Sequence, residues 1–226
     1  MTTCIIPARG GSKRIRAKNI KDFCGKPIIN WSISTALDSG CFDRVVVSTD
    51  DCEIAEIARL CGAEIPFKRP KELADDYTPT REVIAHTIEK LKLSGPICCL
   101  YATAPFVLAK DFHVALSLLK KENVRYVFTV TRYKSPVERA LRMMPNNYLQ
   151  MLQPEYFHKR TQDLEAAWHD AGQFYFAMAE KWCQDVPIFG PGARGIPVPL
   201  KRAQDIDTEE DWDFAELLFQ AQRHLS

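Results

Sequence analysis

From Thr3 to Thr131 the chain alternates between short, continuous apolar runs and longer stretches with helical spacing. TCIIP (Thr3–Pro7), RVVVS (Arg44–Ser48), ICCLY (Ile97–Tyr101) and YVFTVT (Tyr126–Thr131) read as strands buried on both faces. PIINWSISTALDSG (Pro27–Gly40) reads as a helix with proline in its first turn and glycine at its end. DCEIAEIARLCG puts Ile54, Ile57, Ala58 and Cys61 on one helical face, with Gly62 closing it. AEIPF is a short extended piece, and Thr80–Leu93 and Lys110–Lys121 are further helices. Buried strands alternating with amphipathic helices predict an α/β domain with a mostly parallel sheet and helices on both faces.

The alternation stops at Arg132. From there to Gly172 no period is clean, although Leu141, Met143, Met144, Leu149, Met151 and Leu152 make the stretch apolar. Forty residues of this composition are too many for a bare loop, so 132–172 is expected to be an insertion that covers the site or meets a second subunit. A strand over QFYFAM, a short strand near Ile196–Val198 and a helix over Thr208–His224 complete a single domain spanning 1–226, without internal repeats.

Composition narrows the class. The 226 residues are 46% hydrophobic and 26% charged with a net charge of +1, an ordinary globular balance in which any anion site must be local. That balance also speaks against a nucleic-acid partner. The four-residue apolar run at the N-terminus lacks a basic segment before it, and no run of about 18 apolar residues exists, so neither a signal peptide nor a membrane span is expected. The eight cysteines form no CxxC pair, and Cys98-Cys99 on a strand point to opposite faces as small hydrophobes would. Reduced thiols in a cytoplasmic protein follow. The five histidines show no ligand spacing, so any metal is expected to take oxygen ligands.

The local chemistry begins at the end of the first strand. Arg9, Lys13, Arg14, Arg16, Lys18 and Lys21 all precede the first acid, Asp22. In open α/β sheets ligands bind beyond the carboxyl ends of the strands, where this loop starts. Gly10 and Gly11 allow backbone N–H groups to turn towards an anion, and the cations around them offset phosphate charge. Neither the GxxxxGK[ST] loop nor the GxGxxG fingerprint is present, which argues against a Walker ATPase and a nicotinamide oxidoreductase. Near the C-terminus Asp205 and Asp207 share a face if the backbone is extended, and both can reach one hydrated Mg²⁺. Thr208-x-x-Asp211 reads equally as a helix cap, with Glu209 and Glu210 favoured by the helix dipole.

IPARGGSKRI, KNI and GKPIINWSI resemble the signature of the cytidylyltransferases that activate acidic nine-carbon sugars, the CMP-sialic acid synthetase family. VSTDD, GAEIPFKRP, the TAP turn and DIDTEED extend the resemblance over nearly the whole chain. It implies a nucleotide-diphosphosugar transferase (Rossmann-like) fold, CTP as donor, Mg²⁺ with Mn²⁺ tolerated, and a homodimer. It also implies that Arg9 and Lys13 contact the triphosphate and that Lys18 meets the phosphates near the leaving pyrophosphate. Ala8, Gly10, Gly11, Ser12, Asn19 and Thr80 then line the nucleotide, and Asp205 and Asp207 hold the metal, with Asp207 also near the reacting hydroxyl. Asn19 is open to a plain turn role. The expected sugar contacts are Tyr101, Thr103, Arg160, Gln162, His169, Asp170, Gln173 and Tyr175, with Arg160 pairing the sugar carboxylate; His169 and Asp170 are equally open to structural hydrogen bonds.

Three departures from the sialic pattern stand out. Arg16 replaces a common proline, Tyr101 and Val107 occupy the glutamine and arginine places of a QxTSPLR-like stretch, and DAGQFY replaces NGAIY. YATAPFV with RTQDLEAAWHDAGQFYF resembles the branch acting on pseudaminic acid, whose activated sugar serves surface glycan or flagellin glycosylation. The implied reaction joins CTP to the anomeric hydroxyl of that sugar, giving the CMP-sugar and pyrophosphate. Synthesis of CMP-N-acetylneuraminate or CMP-legionaminate, and a non-catalytic nucleotide-binding protein, are the alternatives.

Overall fold

In the computed structural model, which describes residues 1–224, the apolar runs form strands at nearly the expected positions. The elements in order are β1 (Thr3–Pro7), β2 (Asp22–Phe23), β3 (Lys26–Pro27), α1 (Ile28–Asp38), β4 (Arg44–Ser48), α2 (Cys52–Leu60) and α3 (Thr80–Leu91). There follow β5 (Pro96–Leu100), α4 (Ala109–Leu119), β6 (Tyr126–Arg132), β7 (Leu141–Met143), β8 (Leu149–Met151), β9 (Trp168–Met178), α5 (Ala179–Cys183), β10 (Ala193–Pro197) and α6 (Glu209–His224). Among the described residues the main sheet has six strands in the order β10-β6-β9-β5-β1-β4. Only β9 runs antiparallel to its neighbours, pairing with β5 and β6.

The strand alternation sorts side chains onto two faces. Cys4, Ile6, Val45, Val47 and Cys98 pack with Ile29 and Ile33 of α1, Ile54 and Ala58 of α2, and Phe112 of α4. Ile5, Ile97 and Cys99 point the other way, onto Ile84 and Ile88 of α3 and Trp182 of α5. The adjacent cysteines therefore face opposite layers as small buried hydrophobes, and all eight cysteines are free thiols. A third cluster joins Ile15, Phe23, Ile28, Phe106, Ile206, Trp212 and Phe219. It pins the basic loop and the segment before α6 to each other.

Two elements differ from the expectation. The strand expected over Gln173–Met178 begins five residues earlier, at Trp168, so His169 and Asp170 are sheet residues. Val130 pairs with Asp170 and Arg132 with Trp168, past a register shift between Phe128 and Val130. Gly172 sits at φ +63°, the left-handed region that glycine adopts readily. This irregularity, with the polar HDAGQ sequence, hides the strand from a pattern search. Between β6 and β9 the hairpin of β7 and β8 is paired only with itself, and Leu141, Met143, Leu149 and Phe157 are exposed. The apolar spacing there does not describe a core of this chain.

A buried ion pair fixes the segment that leads to the acidic pair Asp205 and Asp207. Arg202 donates to the Asp111 carboxylate on α4 and, through Nε, to the Phe106 carbonyl at 3.1 Å. Both side chains are almost fully buried. Removing one partner leaves an uncompensated buried charge, so Asp111→Ala is expected to cost about 3–5 kcal/mol. Urea denaturation checks this, and a loss below about 1 kcal/mol would show the pair to be dispensable.

Candidate active site

The carboxyl ends of β1 and β5 open into a cavity of about 570 Å³. Arg9, Ser12, Lys13, Arg14, Lys18 and Asn19 from the basic loop form one wall. Thr80 at the start of α3, Tyr101 and Thr103 just past β5, and Asp207 form others. Ten of the residues singled out in the sequence therefore meet around one space. Tyr101 reaches it because β5 ends at Leu100 rather than running on, and its N–H donates to the Gln173 carbonyl at 2.9 Å.

The loop is a folded turn. Ile15 is fully buried, and the Asn19 amide donates to the Arg9 carbonyl at 2.9 Å, so Asn19 braces the turn as well as lining the cavity. Gly10 has a different duty from the expected one. Its N–H donates to Asp50 at 3.1 Å, and an added Cβ would lie 2.5 Å from an Asp51 oxygen. The glycine lets the loop pack against the acids that follow β4, and its N–H is given to the Asp50 carboxylate and does not face the cavity. Ala8 is fully buried, and neither it, Gly10 nor Gly11 lines the cavity.

Positive charge on this wall is met by acids from other segments. Arg9 and Lys13 both pair with Asp76, at 2.6 and 2.5 Å, and Arg9 also donates to the Asp75 carbonyl. Lys13, then Arg9, hold the Asp76 carboxyl below its ordinary range. Arg14 and Lys18 pair with Asp207 at 2.9 and 3.1 Å. Arg69 also lines the cavity and has no ion pair among the described residues. It is 4% exposed, donating to Ser48 Oγ at 3.2 Å, to the Ser48 carbonyl and to the Leu73 carbonyl. Burial lowers its guanidinium to about 10, with nearby Asp50 opposing the shift and Arg9 adding to it. A cation held only by neutral groups leaves its charge for an anion in the cavity.

Arg69, Asp75, Asp76 and Thr78 are cavity residues that residue-level reading of the sequence passed over. Arg69 lay in GAEIPFKRP, a stretch noted only for its resemblance. The signal available was the dense charge between Lys68 and Asp76.

The acidic segment serves two ends. Asp211 Oδ2 accepts from Thr208 N and Oγ1, each at 2.8 Å, while Asp211 N–H takes the Thr208 hydroxyl oxygen, so the capping reading holds. Ile206 is fully buried between Asp205 and Asp207. Asp205 keeps solvent access and has no hydrogen bond or ion pair among the described residues. Partial burial of its carboxyl, then repulsion from Asp207, push it above the ordinary carboxylate range. Among the described residues no three His, Cys, Asp or Glu side chains gather as a metal cage.

The remaining expected sugar contacts do not line the cavity. Arg160 is exposed and paired with Asp163 at 2.7 Å, and Gln162 is exposed beside it. Gln173 is 2% exposed and its amide donates to the Arg202 carbonyl at 2.5 Å, a structural tie. His169 Nδ1 lies 2.9 Å from the Asp170 carbonyl. Asp170 and Tyr175 are bonded to each other behind Tyr101.

Because Asp76 holds the two cations an incoming anion would use, Asp76→Asn is expected to tighten binding of inorganic tripolyphosphate about two- to fivefold, as for partly exposed ion pairs. Calorimetry at fixed salt measures this, and weaker binding would mean that Asp76 supports the anion site and does not compete for it.

A family model described as Cytidylyltransferase matches residues 3–182. The chain is 43% identical over 220 residues to pseudaminic acid cytidylyltransferase of Campylobacter jejuni subsp. jejuni serotype O:2, covering 96% of this chain and 95% of that one. It is 30% identical to the CMP-N,N'-diacetyllegionaminic acid synthase of Legionella pneumophila, over 96% and 95% of the two chains. The solved structure of a CMP:2-keto-3-deoxy-manno-octonic acid synthetase shares the fold, with a TM-score of 0.72 at 16% identity over 98% of this chain and 99% of that one. The six-stranded α/β sheet with its cation-walled cavity belongs to a nucleotidyltransferase, and the chain is a member of the cytidylyltransferase family.

Proposed function

We propose that the chain transfers CMP from CTP to the anomeric hydroxyl of pseudaminic acid, releasing pyrophosphate. The observation that carries this reading is the nearly full-length identity to the Campylobacter enzyme. The cavity suits the chemistry. Arg9, Lys13, Lys18 and Arg69 bring four cations to one space, where a triphosphate needs its charge offset. The anomeric hydroxyl oxygen attacks the α-phosphorus and gives up its proton to Asp207 or to water, while the bond from the α-phosphorus to the oxygen it shares with the β-phosphate breaks. Charge moves onto the leaving pyrophosphate, and Arg9, Lys13 and Lys18 stabilise it there more strongly than in the ground state. Thr80, Thr103 and Asn19 contribute neutral polar groups for the nucleotide.

Asp205 and Asp207 fit a magnesium site. Asp205 is an unpaired carboxylate pushed up by partial burial and then by Asp207, and a bound cation held by these two residues would offset that repulsion. Mg²⁺ commonly takes one or two carboxylates, keeps waters and shares substrate phosphates, so a three-residue protein cage is not required. When bound there it supplies charge neutralisation at the phosphates. Arg14 and Lys18, which pair with Asp207, would then be free for the phosphates.

We further propose a homodimer formed through the hairpin of β7 and β8, because its exposed Leu141, Met143 and Leu149 gain most from burial in a partner. The extra cover also brings Arg160 and Gln162 to a sugar pocket only if the two subunits share it. A cytoplasmic location agrees with eight free thiols. Among the described residues no helix is long and apolar enough to cross a membrane.

Two measurements test these proposals. With CTP and Mg²⁺, pyrophosphate release is expected with pseudaminic acid, and with legionaminic and N-acetylneuraminic acids at kcat/KM at least about tenfold lower, the size of a mismatched polar group. Equal or greater kcat/KM for N-acetylneuraminic acid would contradict the choice of sugar, and no pyrophosphate release with any acidic sugar would contradict the reaction. Leu149→Glu is expected to give a folded monomer by light scattering, with its far-ultraviolet circular dichroism unchanged and a lower melting temperature than the dimer; a wild-type chain that is already monomeric would refute the dimer.

A further inference from the structure

The segment that carries Asp205 and Asp207 is held at both ends. Downstream, the Asp207 N–H donates to Asp211 Oδ2 at 3.1 Å, inside the cap of α6. Upstream, Arg202 ends a short 3-10 turn over Leu200–Arg202 and ties it to three other parts of the fold. Its guanidinium donates to Asp111 on α4 and, at 3.1 Å, to the Phe106 carbonyl in the turn after β5. Its own carbonyl accepts the Gln173 amide of β9 at 2.5 Å. Asp205 follows three residues later, a reach of at most about 10 Å, so a shift at Arg202 is passed on to the carboxylates.

The turn that Arg202 holds is itself a wall of the cavity. Tyr101, Ala102 and Thr103 line the same space as Asp207, and the turn closes with the Val107 N–H on the Ala104 carbonyl at 3.2 Å. One buried side chain therefore sets two walls against each other. Stability alone does not require an ion pair there, since apolar residues of similar volume often serve a buried site as well or better. Direction is what the pair adds. The guanidinium presents its donors in a rigid fork, so the Asp111 oxygen and the Phe106 carbonyl fix where it lies. Asp111 is fixed in turn, because the same oxygen accepts the Leu108 N–H at 3.2 Å.

We propose that Arg202, oriented by Asp111, is a positioning residue that sets the place of Asp205 and Asp207 against the Tyr101–Phe106 turn, and through it their affinity for a divalent cation. The proposal rests on the magnesium reading above and extends it to two residues that touch neither cation nor substrate.

The test is binding of Mn²⁺ alone to the nucleotide-free protein, followed by the electron paramagnetic resonance of the free ion well below every melting midpoint. The variants are Arg202→Lys, the Arg202→Met/Asp111→Leu double variant, and Asp205→Asn as the reference for direct loss of a ligand. The apolar double variant is expected to stay folded with a melting temperature within a few degrees of wild type, because it leaves no unpaired buried charge. Both Arg202 variants are nevertheless expected to weaken Mn²⁺ about three- to tenfold, less than the roughly 10–100-fold typical of losing a group bonded directly to a metal ligand. Binding of inorganic tripolyphosphate without metal is expected to stay within twofold in both. A purely structural pair predicts the opposite, a lowered melting temperature for Arg202→Lys with wild-type Mn²⁺ affinity. Wild-type Mn²⁺ affinity in the folded double variant, with Asp205→Asn weakened, would overturn the positioning role and leave the magnesium reading standing. Wild-type affinity in Asp205→Asn itself would remove the magnesium reading and this proposal with it. A tripolyphosphate loss as large as the Mn²⁺ loss would show a general disturbance of the cavity and overturn the specific role.

Discussion

Charge neutrality in the basic loop organises the rest of the molecule. Six cations precede the first acid in sequence, so each counter-ion must come from far along the chain. Asp76 serves Arg9 and Lys13, Asp207 serves Arg14 and Lys18, and Glu209 serves Lys21. The fold brings these segments together by burying apolar residues between them. Ile15 and Ile206, one in the basic loop and one between two carboxylates, share a single cluster with Trp212 and Phe219. Hydrophobic burial thus holds opposed charges at a sheet edge where neither side is fully satisfied by water.

The same arrangement explains why the site is poised for a polyanion. Surface ion pairs are worth little individually, so Asp76 and Asp207 can be exchanged for phosphate at small cost. Arg69 is different. Its guanidinium is buried, held by Ser48 and a carbonyl, and cannot swing away. It provides a fixed charge, while Arg9 and Lys13 provide mobile ones. On the other side Tyr101 lines the cavity, with the hydrogen-bonded pair of Tyr175 and Asp170 behind its ring.

Much of the fold was legible because strands buried on both faces leave unbroken apolar runs. Thr3–Pro7 and Arg44–Ser48 were located to the residue. The start of β9 was not, since Asp170 and Gly172 serve a hydrogen-bonded irregularity that an apolar pattern does not encode. The hairpin of β7 and β8 was also opaque, because its apolar residues do not pack in this chain. Within the site, Arg9, Lys13 and Lys18 stood out by density of charge. Asp76 did not, because its role depends on a contact across the fold from the loop it neutralises. Gly10 was read as an anion cradle, yet close packing against Asp51 is what requires it.

The central claim is that the loop cations exchange their protein carboxylates for the phosphates of CTP. A crystal structure of the complex with CTP tests it most directly. The account predicts phosphate oxygens against Arg9, Lys13 and Arg69, with Asp76 displaced from both of its partners. A complex in which CTP is bound while the Asp76 pairs with Arg9 and Lys13 remain intact would contradict it.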